Sequence, residues 1–361
     1  MSVDSKGVLI MAGGTGGHIF PGLAVADCLR RRGVDVRWLG ARGAMECQRV
    51  PAAGLPLDVV DISALRGKGA SGWLRMPWRL LRAVRQALDA LGAQRPACAI
   101  SFGGYAAGPG GLAAKLRGVP LLVHEQNRIP GLTNRVLARL ADAVLQAFPG
   151  TWRESLQPRT CGNPVRREVV SLAPPAERMA GRSGPLRLLI TGGSQGAQAL
   201  NRVLPEALRL LPADLALTVR HQSGSGRQAA TREAYAAAGV AAEVTEFIED
   251  MAQAYGWADL VVCRAGALTV SELAAAGVAS VLVPYPHAVD DHQTKNAGFL
   301  VGREAAVLLP ETHCTAASLA ATLASLLASR PRLLEMAGKA RAAAVPDAAE
   351  RVADCCMEYL G

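Results

Sequence analysis

Aromatic residues are scarce in this sequence, with five Phe, five Tyr and five Trp among 361 residues. Proteins that hold single-stranded nucleic acid stack its bases on aromatic side chains, so the scarcity argues against that partner. The eight cysteines form no C-x-x-C pair, which argues against zinc ribbons and thioredoxin-type redox sites. The apolar runs have the length of strands, well below the roughly 18–20 residues of a membrane-spanning helix. Residues 1–6 are polar and do not resemble a signal peptide, so we expect a cytosolic protein.

Length, hydrophobicity and charge indicate two globular domains of different electrostatic character. A chain of 361 residues, of which 50% are hydrophobic, is too long to fold around one hydrophobic core of ordinary size. Residues 1–166 contain 22 Lys and Arg against 10 Asp and Glu, a net charge of +12, whereas the remainder carries −3. The first half is therefore expected to face an anionic partner, either nucleic acid, anionic lipid or a phosphorylated substrate.

Short apolar runs alternate with helical periodicity in each half, which predicts two α/β domains with parallel sheets. Strands are predicted at residues 8–11, 36–39, 57–60, 99–102, 121–124 and 143–146, and again at 186–191, 216–221, 242–246, 260–263, 280–283 and 307–309. Proline and glycine interrupt the pattern between residues 150 and 185. The predicted domains are residues 1–163 with the terminal helical segment 346–361, and residues 164–345.

A glycine-rich loop follows the first predicted strand of each half, as GGTGGH at residues 13–18 and GGSQGA at residues 192–197. A strand, a glycine loop and a helix in succession can bind phosphate through unpaired backbone amides. The dinucleotide fingerprint is incomplete, because Ile19 replaces its third glycine and residues 39–42 contain no carboxylate. No Gly-Lys-Ser/Thr follows either loop, so a P-loop is also disfavoured.

Polar residues and glycines follow several other strands, as FGGY at 102–105, HEQN at 124–127 and GALTVSE at 266–272. Carboxyl ends of parallel strands meet at one sheet edge, which predicts a ligand site there. Glu272 can accept hydrogen bonds from two ribose hydroxyls beside a diphosphate at the helix start, or can be an ordinary first-turn acid. Asp290 and Asp291 lack the Asp-x-Asp spacing of metal-dependent sugar transferases, so we expect a helix N-cap and no metal site.

The segment of residues 73–85, called here the basic–apolar segment, combines tryptophan, leucine and arginine. At helical spacing its arginines fall on one side and its leucines largely on the other. One interpretation is a crossover helix with a solvated basic face. The other is contact with an anionic membrane surface. The candidate membrane residues are Trp73, Leu74, Arg75, Met76, Trp78, Arg79 and Arg82.

Seven motifs occur in a specific order: residues 13–18, 102–105, 124–127, 162–166 (GNPVR), 192–197, 266–272 and 291–297 (DHQTKNA). Together they resemble the MurG family of bacterial transferases, which make lipid II from lipid I. The resemblance implies a GT-B fold, with two Rossmann-like domains facing across a cleft and the C-terminal helix returning to the first domain. It implies transfer of N-acetylglucosamine from UDP-N-acetylglucosamine to the muramyl 4-hydroxyl of lipid I, with inversion and without a cofactor. The expected location is the cytoplasmic face of the inner membrane, peripherally bound.

The resemblance also assigns roles by matching motif. Ile248 would bind the uracil through its backbone, Glu272 the ribose and Gln293 the sugar hydroxyls. Apart from the resemblance, inversion by one displacement needs a base for the acceptor hydroxyl, and His18 lies in a suitable loop, with His124 and Glu125 as rivals. The expected acceptor-side residues are Gly103, Gly104, Tyr105 and Asn134. The expected donor-binding residues are Thr15, Gly16, Gly17, Asn127, Arg166, Ser194, Ile248, Ala267, Leu268, Thr269, Val270, Ser271, Glu272 and Gln293.

Two other functions remain open from the sequence. A related GT-B transferase would act on another lipid acceptor, such as diacylglycerol. A non-enzymatic module would bind a nucleotide sugar or nucleic acid through the basic half, although no nucleic-acid motif is present. We therefore expect UDP-N-acetylglucosamine, lipid I and an anionic membrane as partners, and not nucleic acid.

Overall fold

The computed structural model describes residues 7–62, 76–193, 196–286 and 289–360. It divides into two units, Met1–Arg166 with Val345–Gly361, and Arg167–Ala344, called here the first and second domains. The division falls after residues 166 and 344, compared with predicted boundaries after residues 163 and 345.

Within the described ranges, the first domain contains a seven-stranded parallel sheet in the order β3-β2-β1-β4-β5-β6-β7. Residues alternate along β1 between two cores, with Val8 and Ile10 in one and Leu9 and Met11 in the other. A parallel sheet covered by helices on both faces requires such all-apolar strands. The strands are β1 Val8–Ala12, β2 Val36–Ala41, β3 Leu57–Val60, β4 Cys98–Gly103, β5 Leu121–Glu125, β6 Ala143–Gln146 and β7 Arg159–Thr160. The helices are Gly16–Arg31, Glu46–Ala52, Met76–Gln94, Ala107–Leu116, Leu132–Leu137 and Ala348–Met357, with a 3₁₀ turn at Glu154–Leu156.

The C-terminal helix Ala348–Met357 completes the first domain, as the resemblance implies. Val352 and Cys356 lie in the core cluster that also contains Val25 and Leu29 of the helix Gly16–Arg31. At the rim of this contact, Arg32 Nη1 lies 2.5 Å from Asp354 Oδ1. The buried apolar contact is the larger stabilising contribution, because an exposed ion pair contributes only about 0–1 kcal/mol.

The second domain repeats the architecture with six described strands in the order β10-β9-β8-β11-β12-β13. The strands are β8 Leu186–Thr191, β9 Leu217–Gln222, β10 Glu243–Thr245, β11 Leu260–Cys263, β12 Ala279–Leu282 and β13 Ala306–Leu308. The helices are Arg167–Val170, Pro175–Arg178, Gln198–Arg209, Gln228–Ala237, Met251–Trp257, Ala267–Ala276, His292–Val301, Ala316–Leu327 and Arg330–Ala342, with 3₁₀ turns at Val289–Asp291 and Glu311–His313. Every predicted strand is confirmed to within two residues at each end.

The strand order identifies where ligands bind. In the first sheet it reverses between β1 and β4, and in the second between β8 and β11. Ligands of open α/β sheets bind beyond the carboxyl ends of the strands at such reversal points. The glycine loops and the segments 103–106 and 264–266 all begin there. Within the described ranges, no helix is both long and apolar enough to cross a bilayer.

Candidate functional site

The first glycine loop, residues 13–15, is held in place by the buried carboxylate of Glu46. Its Oε2 accepts a hydrogen bond from the Gly14 amide at 3.0 Å, and its Oε1 accepts one from the Ala41 amide at 2.8 Å. A Cβ atom at position 13 would lie 2.2 Å from Glu46 Oε1, so a side chain there would displace the carboxylate. Glu46 therefore fixes the backbone that leads into the helix Gly16–Arg31. Nothing in the local sequence pattern pointed to it.

The loop after β4 lies directly against this first loop. Gly103 and Gly104 have φ angles of 97° and 91°, in the left-handed region that favours glycine. A Cβ at position 104 would lie 2.3 Å from the Gly13 carbonyl oxygen. The half-exposed ring of Tyr105 lies next to Gly14. Three of the four expected acceptor-side residues thus share the reversal point of the first sheet.

His18 lies at this edge, two residues inside the helix Gly16–Arg31. Its half-buried ring lies beside Gly103, and its Nδ1 is 2.9 Å from Gln126 Oε1. Within the described part of the chain, His18 Nε2 has no hydrogen-bond partner. One ring nitrogen is therefore held by the protein while the other remains for a ligand.

The two rival bases are buried and hydrogen-bonded within the domain. His124 is 2.9 Å from the Gly162 carbonyl oxygen through Nε2 and 3.1 Å from Gln126 Nε2 through Nδ1. Burial lowers the pKa of His124 to about 4, against a smaller opposing effect of the Gly162 hydrogen bond. The Glu125 carboxylate accepts hydrogen bonds from the amides of Asn127, Gly131 and Asn134. This geometry favours His18 as the group that can reach a substrate.

Asn134 lies behind the edge rather than on it. Its side chain is buried and donates to the His124 carbonyl and to Glu125 Oε2, while its Oδ1 accepts from the Ser101 hydroxyl at 3.0 Å. The Asn134 side chain therefore supports the loop of residues 124–131, and its contact with an acceptor stays a prediction. Asn127, by contrast, is only half-buried and lies on the same loop.

The remaining expected donor residues of the first domain lie at the start of the helix Gly16–Arg31 and after β7. Thr15 is exposed at the N-cap, immediately before Gly16 and Gly17. The Arg166 guanidinium lies 4.9 Å from the ring centre of Phe20, a stacking contact that orients its charge. Both arrangements place groups suited to an anion near the first reversal point.

In the second domain, Gly196 packs closely against the chain segment that follows β9. A Cβ at Gly196, whose φ is 70°, would lie 2.2 Å from the Ser223 carbonyl oxygen. That carbonyl accepts a hydrogen bond from Asn201 Nδ2, and Asn201 Oδ1 faces His221 Nε2 at 3.0 Å. His221 Nδ1 in turn lies 2.9 Å from the Tyr235 hydroxyl. Ser194, an expected donor residue, lies outside the described residues.

Two buried histidines make stability depend on pH. Burial lowers the pKa of His221, like that of His124, to about 4. Both are neutral in the folded and unfolded states above pH 6.5, the value of a free imidazole. As the pH falls from 6.5 towards 4, the unfolded chain binds protons that the folded chain excludes. We expect the free energy of unfolding to fall by roughly 1.4 kcal/mol per pH unit for each histidine.

Urea unfolding measured at several pH values between about 7 and 5 tests this expectation. The His221→Leu variant should be less stable overall but should lose stability less steeply as the pH falls, because one excluded proton is gone. An equal slope in the variant and the parent protein would contradict the role of His221.

The helix Ala267–Ala276 begins where β11 ends, with Gly266 at its N-cap. Glu272 is buried one turn inside, and its Oε2 accepts a hydrogen bond from the Tyr255 hydroxyl at 3.1 Å. Val270 is fully buried, and its expected contact with the donor stays a prediction. At the far end of the helix, Arg178 donates to the carbonyls of Ala276 and Gly277, which complements the helix dipole.

Gln293 and Ile248 complete the expected donor residues of the second domain. Gln293 Oε1 accepts a hydrogen bond from the Tyr285 amide at 2.9 Å. Ile248 lies half-buried in the loop between β10 and the helix Met251–Trp257. Asp291 occupies the predicted N-cap position of the helix His292–Val301 and accepts from the Thr294 hydroxyl at 2.6 Å.

The basic–apolar segment is described from Met76 onward, so Trp73, Leu74 and Arg75 lie outside the described residues. On the helix Met76–Gln94, Trp78 is 76% exposed, and Arg79 and Arg82 are exposed beside it. The helix Ala107–Leu116 packs against this helix, and the helix Leu132–Leu137 packs against Ala107–Leu116. The helix Leu132–Leu137 and the turn that follows it present a second group of exposed residues: Leu132, Arg135, Val136, Arg139 and Leu140.

Comparison with known proteins identifies the family. Residues 8–146 match the glycosyltransferase family 28 N-terminal domain, and residues 187–352 match the C-terminal domain of the same family. A relative from Aeromonas hydrophila is 56% identical over 98% of this chain and 96% of its own length. It is named UDP-N-acetylglucosamine–N-acetylmuramyl-(pentapeptide) pyrophosphoryl-undecaprenol N-acetylglucosamine transferase. The chain belongs to the MurG family of glycosyltransferases.

Other matches agree with this family. A relative from Xanthomonas euvesicatoria pv. vesicatoria with the same name is 56% identical over the whole of this chain and 83% of its own length. The crystal structure of Acinetobacter baumannii MurG has a TM-score of 0.83 and 42% identity, and covers 98% of this chain and 99% of that chain. The predicted GT-B fold class, with two Rossmann-like domains, is confirmed. The calicheamicin glycosyltransferase CalG4, at 19% identity and a TM-score of 0.65, shares the fold alone.

The structure also shows residues of this MurG-family site that sequence reasoning missed. Glu46 supports the first glycine loop, Gln126 contacts the ring of His18, and Tyr255 contacts Glu272. Gln126 was visible within the HEQN motif, but its partner lies 108 positions away. The others carried no local signal.

Proposed function

We propose that this chain transfers N-acetylglucosamine from UDP-N-acetylglucosamine to the muramyl 4-hydroxyl of lipid I, giving lipid II and UDP. The single observation that carries the proposal is the pair of loop clusters at the two sheet reversal points of this MurG-family chain. One cluster offers a histidine with a ring nitrogen available to a ligand. The other offers a helix start beside a buried carboxylate, which suits a nucleoside diphosphate.

The proposed reaction is a single displacement with inversion. The acceptor O4 attacks the anomeric carbon of the donor sugar as His18 Nε2 takes the hydroxyl proton. The bond from the anomeric carbon to the diphosphate oxygen breaks, and UDP leaves with the bonding electrons. Arg166, Ser194 and the first amides of the helix Ala267–Ala276 would stabilise the negative charge of the departing diphosphate.

In this proposal, the second domain binds the donor and the first domain binds the acceptor. Glu272 accepts hydrogen bonds from the ribose hydroxyls, the Ile248 backbone binds the uracil, and Gln293 donates to a sugar hydroxyl. The +12 net charge of residues 1–166 suits an acceptor with a diphosphate on a polyprenyl chain.

An acceptor competition assay tests the substrate assignment. Purified protein is incubated with radiolabelled UDP-N-acetylglucosamine and equal amounts of a lipid I analogue and diacylglycerol. The proposal predicts label in the lipid I product alone. Label on diacylglycerol would identify a related transferase with another lipid acceptor, and UDP-sugar binding without transfer would indicate a binding module.

We further propose peripheral binding of the first domain to the cytoplasmic face of the inner membrane. The exposed Trp78 and Leu132, each more than 70% exposed, would enter the interface while the neighbouring arginines contact anionic headgroups. Such surfaces combine an apolar contribution with roughly 1 kcal/mol for each basic residue near the membrane.

Neutralising Arg75, Arg79 and Arg82 with glutamine should weaken vesicle binding by roughly 100-fold, since three headgroup contacts are lost. Co-sedimentation with phosphatidylglycerol-containing vesicles measures this. The matched control neutralises Arg202, Arg209 and Arg303, which are exposed in the second domain, and should leave binding unchanged. Equal losses in the two variants would indicate a general charge effect and would remove the proposed surface.

A further inference from the structure

Gln126 lies between two histidines and is itself buried. Its Oε1 is 2.9 Å from His18 Nδ1. Its Nε2 is 2.9 Å from the His124 carbonyl oxygen and 3.1 Å from His124 Nδ1. The side-chain amide therefore connects the edge of the site to the interior of the first domain.

The carbonyl of His124 fixes which way this amide points. A backbone carbonyl can only accept a hydrogen bond, so the NH₂ group of Gln126 must face it. The Oε1 atom is then turned to His18, and oxygen can only accept. His18 Nδ1 must therefore carry a proton, and neutral His18 keeps its lone pair on Nε2.

The same reasoning fixes the hydrogen bonds of His124, at the interior end of this network. His124 Nε2 faces the Gly162 carbonyl at 2.9 Å and must donate to it, which leaves Nδ1 to accept from Gln126. The Phe102 ring packs against the His124 ring, with 5.4 Å between the two ring centres, and restricts the rotation of the imidazole. Burial keeps His124 neutral at physiological pH, so this arrangement does not reverse.

We propose that Gln126 is a positioning residue that holds His18 as the Nδ1–H tautomer, with Nε2 available to take the acceptor proton. This inference rests on the proposed function of His18. When the acceptor O–H bond breaks and the Nε2–H bond forms, the resulting imidazolium still donates its Nδ1–H to Gln126. A neutral amide at this position orients the ring without adding a negative charge beside it. The His18–Gln126 pair differs in this respect from a histidine–carboxylate dyad, in which a negatively charged group orients the imidazole.

The tautomer can be read directly by two-bond ¹⁵N–¹H correlation spectra of the ¹⁵N-histidine-labelled protein at a pH where His18 is neutral. His18→Ala identifies its signal. The expected spectrum shows a protonated Nδ1 and an unprotonated Nε2 in the parent protein. In Gln126→Met, which has similar volume and no hydrogen-bonding amide, the signal should shift towards the Nε2–H form.

Steady-state kinetics provide a second test of the positioning role of Gln126. Gln126→Met should lower kcat by about 10- to 100-fold, within the range of general-base catalysis, and leave the Kd for UDP within about threefold. Gln146→Met is the matched control, because Gln146 is another buried glutamine that supports a loop through the amides of Thr151 and Trp152. It should change stability without changing the His18 spectrum or kcat.

An Nε2–H tautomer in the parent protein, or an unchanged tautomer or kcat in Gln126→Met, would overturn the positioning role. These spectra need no acceptor, so they are independent of the transfer assay. If the parent protein transfers sugar but His18→Ala remains fully active, the proposed base is wrong whatever the tautomer.

Discussion

Replacing His18 by alanine should lower kcat for transfer to a lipid I analogue by about 10³-fold, while the Kd for UDP stays within about threefold. The loss is expected because the muramyl hydroxyl would have no group to accept its proton as it attacks. Buried His124 and Glu125 cannot substitute, since their polar atoms are used within the domain. Steady-state kinetics and UDP calorimetry measure the two quantities separately.

The matched control for this experiment is His313→Ala, which removes an exposed histidine from a 3₁₀ turn of the second domain. It should leave kcat unchanged. His18→Ala with kcat within a factor of about three of the parent protein would exclude His18 as the base.

Replacing Glu272 by glutamine should weaken UDP binding by about 10- to 100-fold, the cost of losing charged hydrogen bonds to the ribose. The effect should appear mainly in the donor KM, because the ribose contacts are present before and during the reaction. Calorimetry with UDP and with uracil-containing fragments lacking the ribose locates the loss. The ribose-free fragments should bind the variant and the parent protein equally.

Tyr255→Phe separates the orientation of Glu272 from its charge. The phenylalanine keeps the buried ring and removes the hydroxyl that lies 3.1 Å from Glu272 Oε2. We expect the affinity for UDP to fall about fivefold, which is consistent with the loss of one hydrogen bond. An unchanged UDP affinity in Glu272→Gln would contradict the ribose contact and leave Glu272 as a structural acid held by Tyr255.

The sequence predicts those features that depend on neighbouring residues. Strands are recognisable as apolar runs, and the loops 13–18 and 192–197 as glycine clusters after the first strand of each sheet. His18 could be proposed because it lies within the first of these clusters, and Glu272 because it lies in the helix that begins just after β11. Two-residue β7 was missed because Arg159–Thr160 forms an exposed edge with no apolar pattern.

Contacts between distant residues could not be predicted in the same way. Glu46 is 32 positions from Gly14, and Gln126 is 108 positions from His18. The sequence gives no sign that Asn134 turns its amide inward to Glu125 and the His124 carbonyl. Only the sheet order, which brings β1, β4 and β5 side by side, shows that these residues support one another.

The linkage of the reaction product tests the central claim most directly. Transfer from the α-linked UDP sugar to a soluble lipid I analogue should give a disaccharide whose proton NMR spectrum shows a β linkage to the muramyl O4. That result is the one required by a single displacement with a base at the acceptor hydroxyl. An α linkage, or sugar attached at any other position, would contradict the account.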